Sequence, residues 1–226
     1  MNILNETELV HLDNQKLFKD YLNELVKCYR HIFGGDEWRE WKICKNNHKF
    51  SFKESGDFVK CPACQSEFKF YWPSEEVKND MQKAFELPAS CFVIALYDGQ
   101  IVGFTYGYQM DGSKAKHHFD EHLPYKLRRL ICNNGNCFWY QSDIAVDENF
   151  RKQHLGSTLY KKRMEIVLDT TKHNVFIIRS YPGAKTYHWY RKKIGYKVLT
   201  KYRRDDLNEW RYLLYADRGL VHAYIN

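Results

Sequence analysis

Two short stretches carry residue types whose spacing could do chemistry. In the first, Cys44 and His48 form one close pair, twelve residues follow, and Cys61-Pro-Ala-Cys64 supplies a second. Two such pairs joined by a short loop are how a chain assembles a tetrahedral Zn²⁺ site, each pair filling two corners. A redox CxxC is the alternative, but that motif opens a helix in a βαβ unit, whereas QSEFKFYW after Cys64 alternates like a strand. Cys44, His48, Cys61 and Cys64 are therefore the expected ligands of a structural zinc, with Cys28 in reserve. Cys91, Cys132 and Cys137 are expected in or near the core.

The second stretch is RKQHLGST, residues 151–158, between the strand-like run CFWYQSDIAV and a helical pattern from Leu155 to Thr171. The first N–H groups of a helix have no intrahelical partners, and the aligned dipole adds a partial positive charge there, so an anion fits. Gly156 permits close backbone approach, Arg151 and Lys152 add charge, and Ser157 and Thr158 bring hydroxyls. A phosphate suits this set; a basic loop capped by a polar turn is the plain structural alternative. Neither GxGxxG nor GxxxxGK[ST] occurs in the chain.

These stretches need a frame, and 226 residues can build one large domain with a small insert. Aromatics make up 16% of the chain and apolar types 44%, which excludes a disordered polymer. The polar start MNILNETELVHLDNQ and the lack of a long apolar run argue against export and membrane spanning, so a cytoplasmic protein with free thiols is expected. A net charge of +7 favours an anionic partner or serves solubility. The insert's aromatics show no stacking array of the RNA-binding kind, which argues against nucleic acid.

Apolar positions Leu17, Tyr21, Leu25, Tyr29 and Ile32 place a helix within 6–33. Residues 42–72 read as a small β-rich insert that buries too little apolar surface to fold without a metal. A helix capped by Ser74 follows, with Val77, Met81, Ala84 and Phe85 inward. Asp98-Gly99 joins two strand runs over 91–109 as a hairpin with a type I′ turn. A helix over 119–131, the strand 137–146, the helix 155–171, the strand NVFIIRS, a helix over 184–193 and strands near 196–202 and 209–216 complete a mixed α/β (α+β) pattern.

IAVDENFRKQHLGSTLYKK resembles the acetyl-CoA loop of the GNAT acyltransferase superfamily: a Val ending a strand, an acidic turn, then Arg/Gln-x-x-Gly-x-Gly/Ala opening a helix. Arg151 and Gly156 match the ends of that pattern, and His154 stands at its first glycine. LYDGQIVGF before it and FIIRSYPGAKTYHWYRKKIGYKV after it are also similar in order and spacing, so the resemblance covers roughly residues 88 to 216. It implies a mostly antiparallel sheet flanked by helices, taken here as one domain over residues 1–226; the cysteine-bearing residues 42–72 resemble no part of that family's core and would sit in it as a zinc-ribbon-like insertion. It further implies acetyl transfer to an amine, with Ile144, Ala145 and Val146 bonding the pantetheine arm. Arg151, Lys152, Gln153, His154, Leu155, Gly156, Ser157 and Thr158 would hold the phosphates.

Direct attack on the thioester needs a proton for the departing thiolate. The resemblance puts Tyr190 in that role, although its spacing to Gly195 is one residue longer than usual, so Tyr187 competes. Asp143 is the candidate base, acting through water, with a structural acceptor as its other reading. His117, His118 and His122 could border an acceptor site or lie on the surface. The acceptor stays open among small amines, antibiotics, peptide N-termini and lysines. A binding module on a catalytically degenerate loop is the second reading.

Overall fold

The computed structural model describes residues 6–56, 58–119, 125–132, 135–204 and 209–226. Strand β1 (Thr7–His11) precedes helix α1 (Gln15–Gly34). Residues 42–72 hold β2 (Lys42–Cys44), β3 (Lys49–Phe50), the short helix α2 (Phe52–Ser55) and β4 (Phe68–Phe70), and α3 (Ser74–Phe85) follows. Then come β5 (Cys91–Tyr97), β6 (Gln100–Asp111), α4 (Gly112–His118), α5 (Tyr125–Cys132), β7 (Cys137–Val146), α6 (Leu155–Thr170) and β8 (Val175–Ser180). The chain ends with α7 (Lys185–Trp189), a π-helical turn (Tyr190–Ile194), β9 (Lys197–Arg204), β10 (Glu209–Asp217) and α8 (Arg218–Ile225).

The seven larger strands form one sheet in the order β1-β5-β6-β7-β8-β10-β9, and β3-β2-β4 form a separate three-stranded sheet. β1 with β5, and β10 with both β8 and β9, pair antiparallel, while β7 and β8 run parallel, so the fold is mixed α/β. The expected hairpin turn is present: Asp98 and Gly99 both have positive φ, 49° and 72°, as type I′ requires. None of the described helices is long and apolar enough to cross a membrane.

The described chain divides into two compact units, and the division cuts through α3, β5, β6, β7 and α6. The first holds residues up to Lys83 with 93–105 and 144–159; the second holds 84–92, 106–143 and 160–226. In the first, α1 buries Phe18, Leu22, Leu25, Tyr29 and Ile32. Leu17 and Tyr21 are only half-buried, so the apolar stripe is rotated by one residue in its first half relative to the expected face. In the second, Trp139 is fully buried and its indole N–H donates to the Ala89 carbonyl at 3.0 Å. A Cβ on Gly107 would come within 2.3 Å of the Trp139 ring and 2.4 Å of the Tyr140 carbonyl, so only glycine fits there.

The structure corrects several expected elements. Residues 7–11 are a strand because TELVH pairs edge-on with β5, from Thr7↔Tyr97 to His11↔Val93. The helix starts only where the Asn14 side chain accepts from the Leu17 N–H at 2.9 Å. Ser74 is the first residue of α3, not its cap, and its Oγ accepts from Arg30 Nη1 at 2.7 Å. In place of one helix over 119–131, Asp111 caps α4 through the Lys114 N–H at 2.8 Å, and α5 begins at Tyr125. Residues 120–124, His122 among them, lie outside the described residues, as does the side chain of His117. Cys91 is buried and Cys137 half-buried, but Cys132 at the end of α5 is exposed.

Candidate cofactor loop and metal centre

Each pair of the cysteine–histidine set sits on a tight backbone turn. The Asn47 N–H bonds the Cys44 carbonyl at 2.9 Å and the Gln65 N–H bonds the Cys61 carbonyl at 2.7 Å. Both turns close through a left-handed residue, Asn47 at φ 61° and Gln65 at φ 58°. The ligand atoms of Cys44, His48, Cys61 and Cys64 all lie within 4.8 Å of one another. Cys44 Sγ is 3.6 Å from Cys64 Sγ, and Cys61 Sγ is 3.4 Å from His48 Nδ1. A tetrahedron with Zn–S near 2.3 Å has edges of about 3.8 Å, and somewhat less to nitrogen, so the donor set fits a zinc ion. Ser66 Oγ lies 3.1 Å from Cys64 Sγ. That hydroxyl and a backbone bond from Ser66 lower the Cys64 thiol to about 6, while burial pushes Cys61 up.

The 151–158 loop is prepared by the strand before it. β7 pairs with β8 only from Trp139↔Phe176 to Gln141↔Ile178, although β7 continues to Val146 and β8 to Ser180. Residues 142–146 therefore have no ladder partner in β8 among the described residues. Asp147 caps a short 3₁₀ turn, Glu148–Phe150, by accepting from the Asn149 N–H at 2.9 Å. The chain then passes through two left-handed residues, Lys152 at φ 62° and His154 at φ 63°. His154 stands where the resembled pattern has glycine, and its backbone takes a conformation that glycine adopts most easily.

Helix α6 opens with the Thr158 N–H bonding the His154 carbonyl at 3.0 Å. The N–H groups of Leu155, Gly156 and Ser157 precede that first bond and have no intrahelical acceptor. The Ser157 and Thr158 hydroxyls both donate to the His154 carbonyl, at 2.7 and 3.1 Å. Arg151 is also engaged: its Nε donates to the Val146 carbonyl at 2.8 Å and its Nη1 pairs with Glu37. Lys152 is exposed. A Cβ on Gly156 would meet only Val146, at 3.8 Å, so the face over that glycine is open.

Tyr190 and Asp143 belong to the second unit. Tyr190 is fully buried and starts the π-helical turn. Its carbonyl accepts from both Gly195 and Tyr196, at 3.0 and 2.9 Å. The extra residue between Tyr190 and Gly195 is thus held in a wide turn rather than shifting the helix. The Tyr190 hydroxyl donates to Gln141 Oε1 at 3.4 Å and lies 3.5 Å from Arg163 Nη2. Burial keeps its proton on, opposed by the Arg163 charge. Tyr187 is half-buried, edge-on to Tyr212.

Asp143 is half-buried, accepts from Ser142 Oγ at 3.2 Å, and burial raises its carboxyl against the bonds from Tyr106 and Ser142. His118 Nε2 lies 3.1 Å from the Tyr140 hydroxyl.

Sequence reasoning missed Arg163 and Gln141. Arg163 is fully buried and donates to the carbonyls of Tyr106 and Asp143 and, at 2.5 Å, to Gln141 Oε1. The signal was available: Arg163 falls between Leu159 and Val167 on the apolar stripe of α6. A charge on such a face needs polar partners from the neighbouring elements.

A model of the acetyltransferase (GNAT) family matches residues 61–196, more than half of the chain. The chain belongs to the GNAT acetyltransferase family. Its mostly antiparallel mixed sheet with helices is the fold of that family, whose enzymes use acetyl-CoA. Among solved structures, it is similar to arylalkylamine N-acetyltransferase 2 from Aedes aegypti: TM-score 0.57, 11% identity, over 94% of this chain and 99% of that one. It is also similar to a GNAT-family acetyltransferase from Streptococcus pneumoniae (TM-score 0.52, 12% identity, 93% and 99%). A third is aminoglycoside 6'-acetyltransferase type Ii (TM-score 0.51, 12% identity, 93% and 96%). These identities carry the fold alone. A search of curated proteins finds no significant match.

Proposed function

We propose that this GNAT-family chain is an N-acetyltransferase that moves an acetyl group from acetyl-CoA to an amine by direct attack. The observation that carries this reading is the early end of the β7–β8 ladder, followed at once by a left-handed loop and a helix N-terminus. On the side left open by β8, the main chain of Ile144, Ala145 and Val146 is then available to an extended amide-bearing arm, apart from the Val146 carbonyl that Arg151 engages. The N–H groups of Leu155, Gly156 and Ser157, the helix dipole and Lys152 receive the pyrophosphate. Arg151 shapes this loop by tying it to Val146, while Gln153, His154 and Thr158 complete it.

In the transfer the amine lone pair attacks the thioester carbonyl, the C–S bond breaks, and the thiolate takes a proton. Tyr190 is our candidate donor, because burial keeps the phenol protonated and the π-turn absorbs the extra residue before Gly195. Asp143, with its raised carboxyl, is the candidate base through water. The acceptor is an amine of unassigned class. The 42–72 segment we read as a zinc-ribbon-like insertion within a domain spanning 1–226; its zinc would be structural, held by Cys44, His48, Cys61 and Cys64. A reducing, cytoplasmic setting suits these thiols.

The test has two arms. Calorimetry should find acetyl-CoA binding, and an amine panel should give CoA release. In that assay Tyr190→Phe keeps the ring but removes the proton, so turnover should fall about 10²-fold with acetyl-CoA affinity nearly constant. Tyr187→Phe should be close to silent. Reversed losses would move the acid to Tyr187, and a chain that does not bind acetyl-CoA would sink the reading.

A further inference from the structure

Ion pairs in the first unit tie the 151–158 loop and the turn before it to residues on either side of the Cys44–His48 pair. The Arg151 guanidinium bridges Val146, the last residue of β7, and Glu37, just before β2. Its side chain and that of Glu37 are only 26% and 29% exposed, so the pair is better shielded than an ordinary surface contact. A second link runs through α2, where Lys53 Nζ lies 3.3 Å from Asp36 and 3.7 Å from Glu148. Glu148 belongs to the turn that leads into Arg151. α2 is itself fixed by a capping box between Ser51 and Glu54, and Arg39 pairs with Glu54 at 2.7 Å. Only β3 separates α2 from His48.

We propose that Glu37 is a positioning residue for the cofactor loop: it locks Arg151 onto the end of β7, and the Lys53 link beside it makes acetyl-CoA affinity depend on the fold of the 42–72 segment as well. The inference rests on reading 151–158 as the acetyl-CoA loop. The sign of one substitution decides it. A carboxylate near a bound pyrophosphate repels it, so a bystander Glu37 would hinder binding and its neutralisation would tighten affinity. A positioning Glu37 does the reverse, because Glu37→Gln frees the guanidinium and loosens the turn it closes.

Acetyl-CoA is titrated calorimetrically into the zinc-loaded protein and its variants, with melting temperatures as a folding control. Glu37→Gln should weaken binding about fivefold, Glu37→Asp should restore part of the loss, and chelation of the metal should weaken binding in the wild type. In an Arg151→Met background the same Glu37→Gln change should shift affinity less than about twofold, since the group it positions is gone. Unchanged or tighter binding by Glu37→Gln, or an equal loss in both backgrounds, overturns the proposal. If Glu37→Gln does not fold, the exposed Lys53→Met, which cuts the second link, should weaken binding about twofold; no loss there also overturns it. A wild type that ignores acetyl-CoA, or a Gly156→Glu variant that binds it normally, removes the loop reading and this inference with it.

Discussion

The cysteine–histidine turns and the 151–158 loop solve one backbone problem with the same means and, on the proposed reading, opposite consequences. Each bends through left-handed residues that are not glycine: Asn47 and Gln65 in one region, Lys152 and His154 in the other. Such residues cost roughly 1 kcal/mol each and persist where the surroundings hold them. On the proposed reading, the bend in both regions aims N–H groups at a negatively charged partner. Around Cys61 and Cys64 the partner is a cysteine sulfur of the same chain, reached by backbone bonds from Ala63, Cys64 and Ser66. At α6 no acidic side chain lies in the first turn, and the partner proposed there is the pyrophosphate of a ligand. The first arrangement converts a bend into folding energy, and the second keeps it for binding.

The comparison breaks most visibly at the thiolates. Cys61→Ser should remove about one zinc per chain by metal analysis and lower the melting temperature by about 10 °C or more, because the 42–72 segment buries few apolar side chains besides Ile43. A metal-free wild type indifferent to chelator would remove the basis of the contrast. Gly156→Glu attacks the other side. A Cβ at this position meets only Val146, so the melting temperature should stay within about 2 °C while acetyl-CoA binding weakens tenfold or more. The smallest effect sharpens the comparison rather than breaking it. Gln65→Gly and His154→Gly each trade left-handed strain for chain entropy, so both should leave stability within about 0.5 kcal/mol in denaturant titrations. Only His154→Gly should also raise acetyl-CoA affinity, by up to about threefold, as the side chain leaves the loop.

Much of this was legible in the chain because local chemistry and tertiary structure agree. Asp98-Gly99 permits only a few turns, and the sheet uses one of them. The spacing of Cys44, His48, Cys61 and Cys64 predicts a cluster, and their donor atoms converge. Reading failed where long-range pairing overrode local pattern. TELVH has apolar positions that fit a helix continuing from α1, but β5 offers it a ladder. RGLVHAYI at the C-terminus forms α8, capped by Asp217, after a stretch that carried no expected helix. The polar centre of the second unit was hidden for a different reason: Arg163, Gln141, Tyr190 and Tyr196 are far apart in sequence, and only the fold joins them.

The π-helical turn at Tyr190–Ile194 gives the chain a local tolerance for a change of length. The Gly195 bond to the Tyr190 carbonyl encloses one residue more than an α-turn would, and Gly195, at φ 96°, releases the chain into Tyr196 and β9. The flanking landmarks are fixed independently: Tyr190 by Gln141 and Arg163, Tyr196 by Gln141 and Tyr160. Excising one of the exposed residues Arg191, Lys192 or Lys193 would tighten the turn to an ordinary α-helical one and leave both anchors in place. Single-residue insertions and deletions usually throw every downstream side chain out of register, yet at this point the fold has a slot for one.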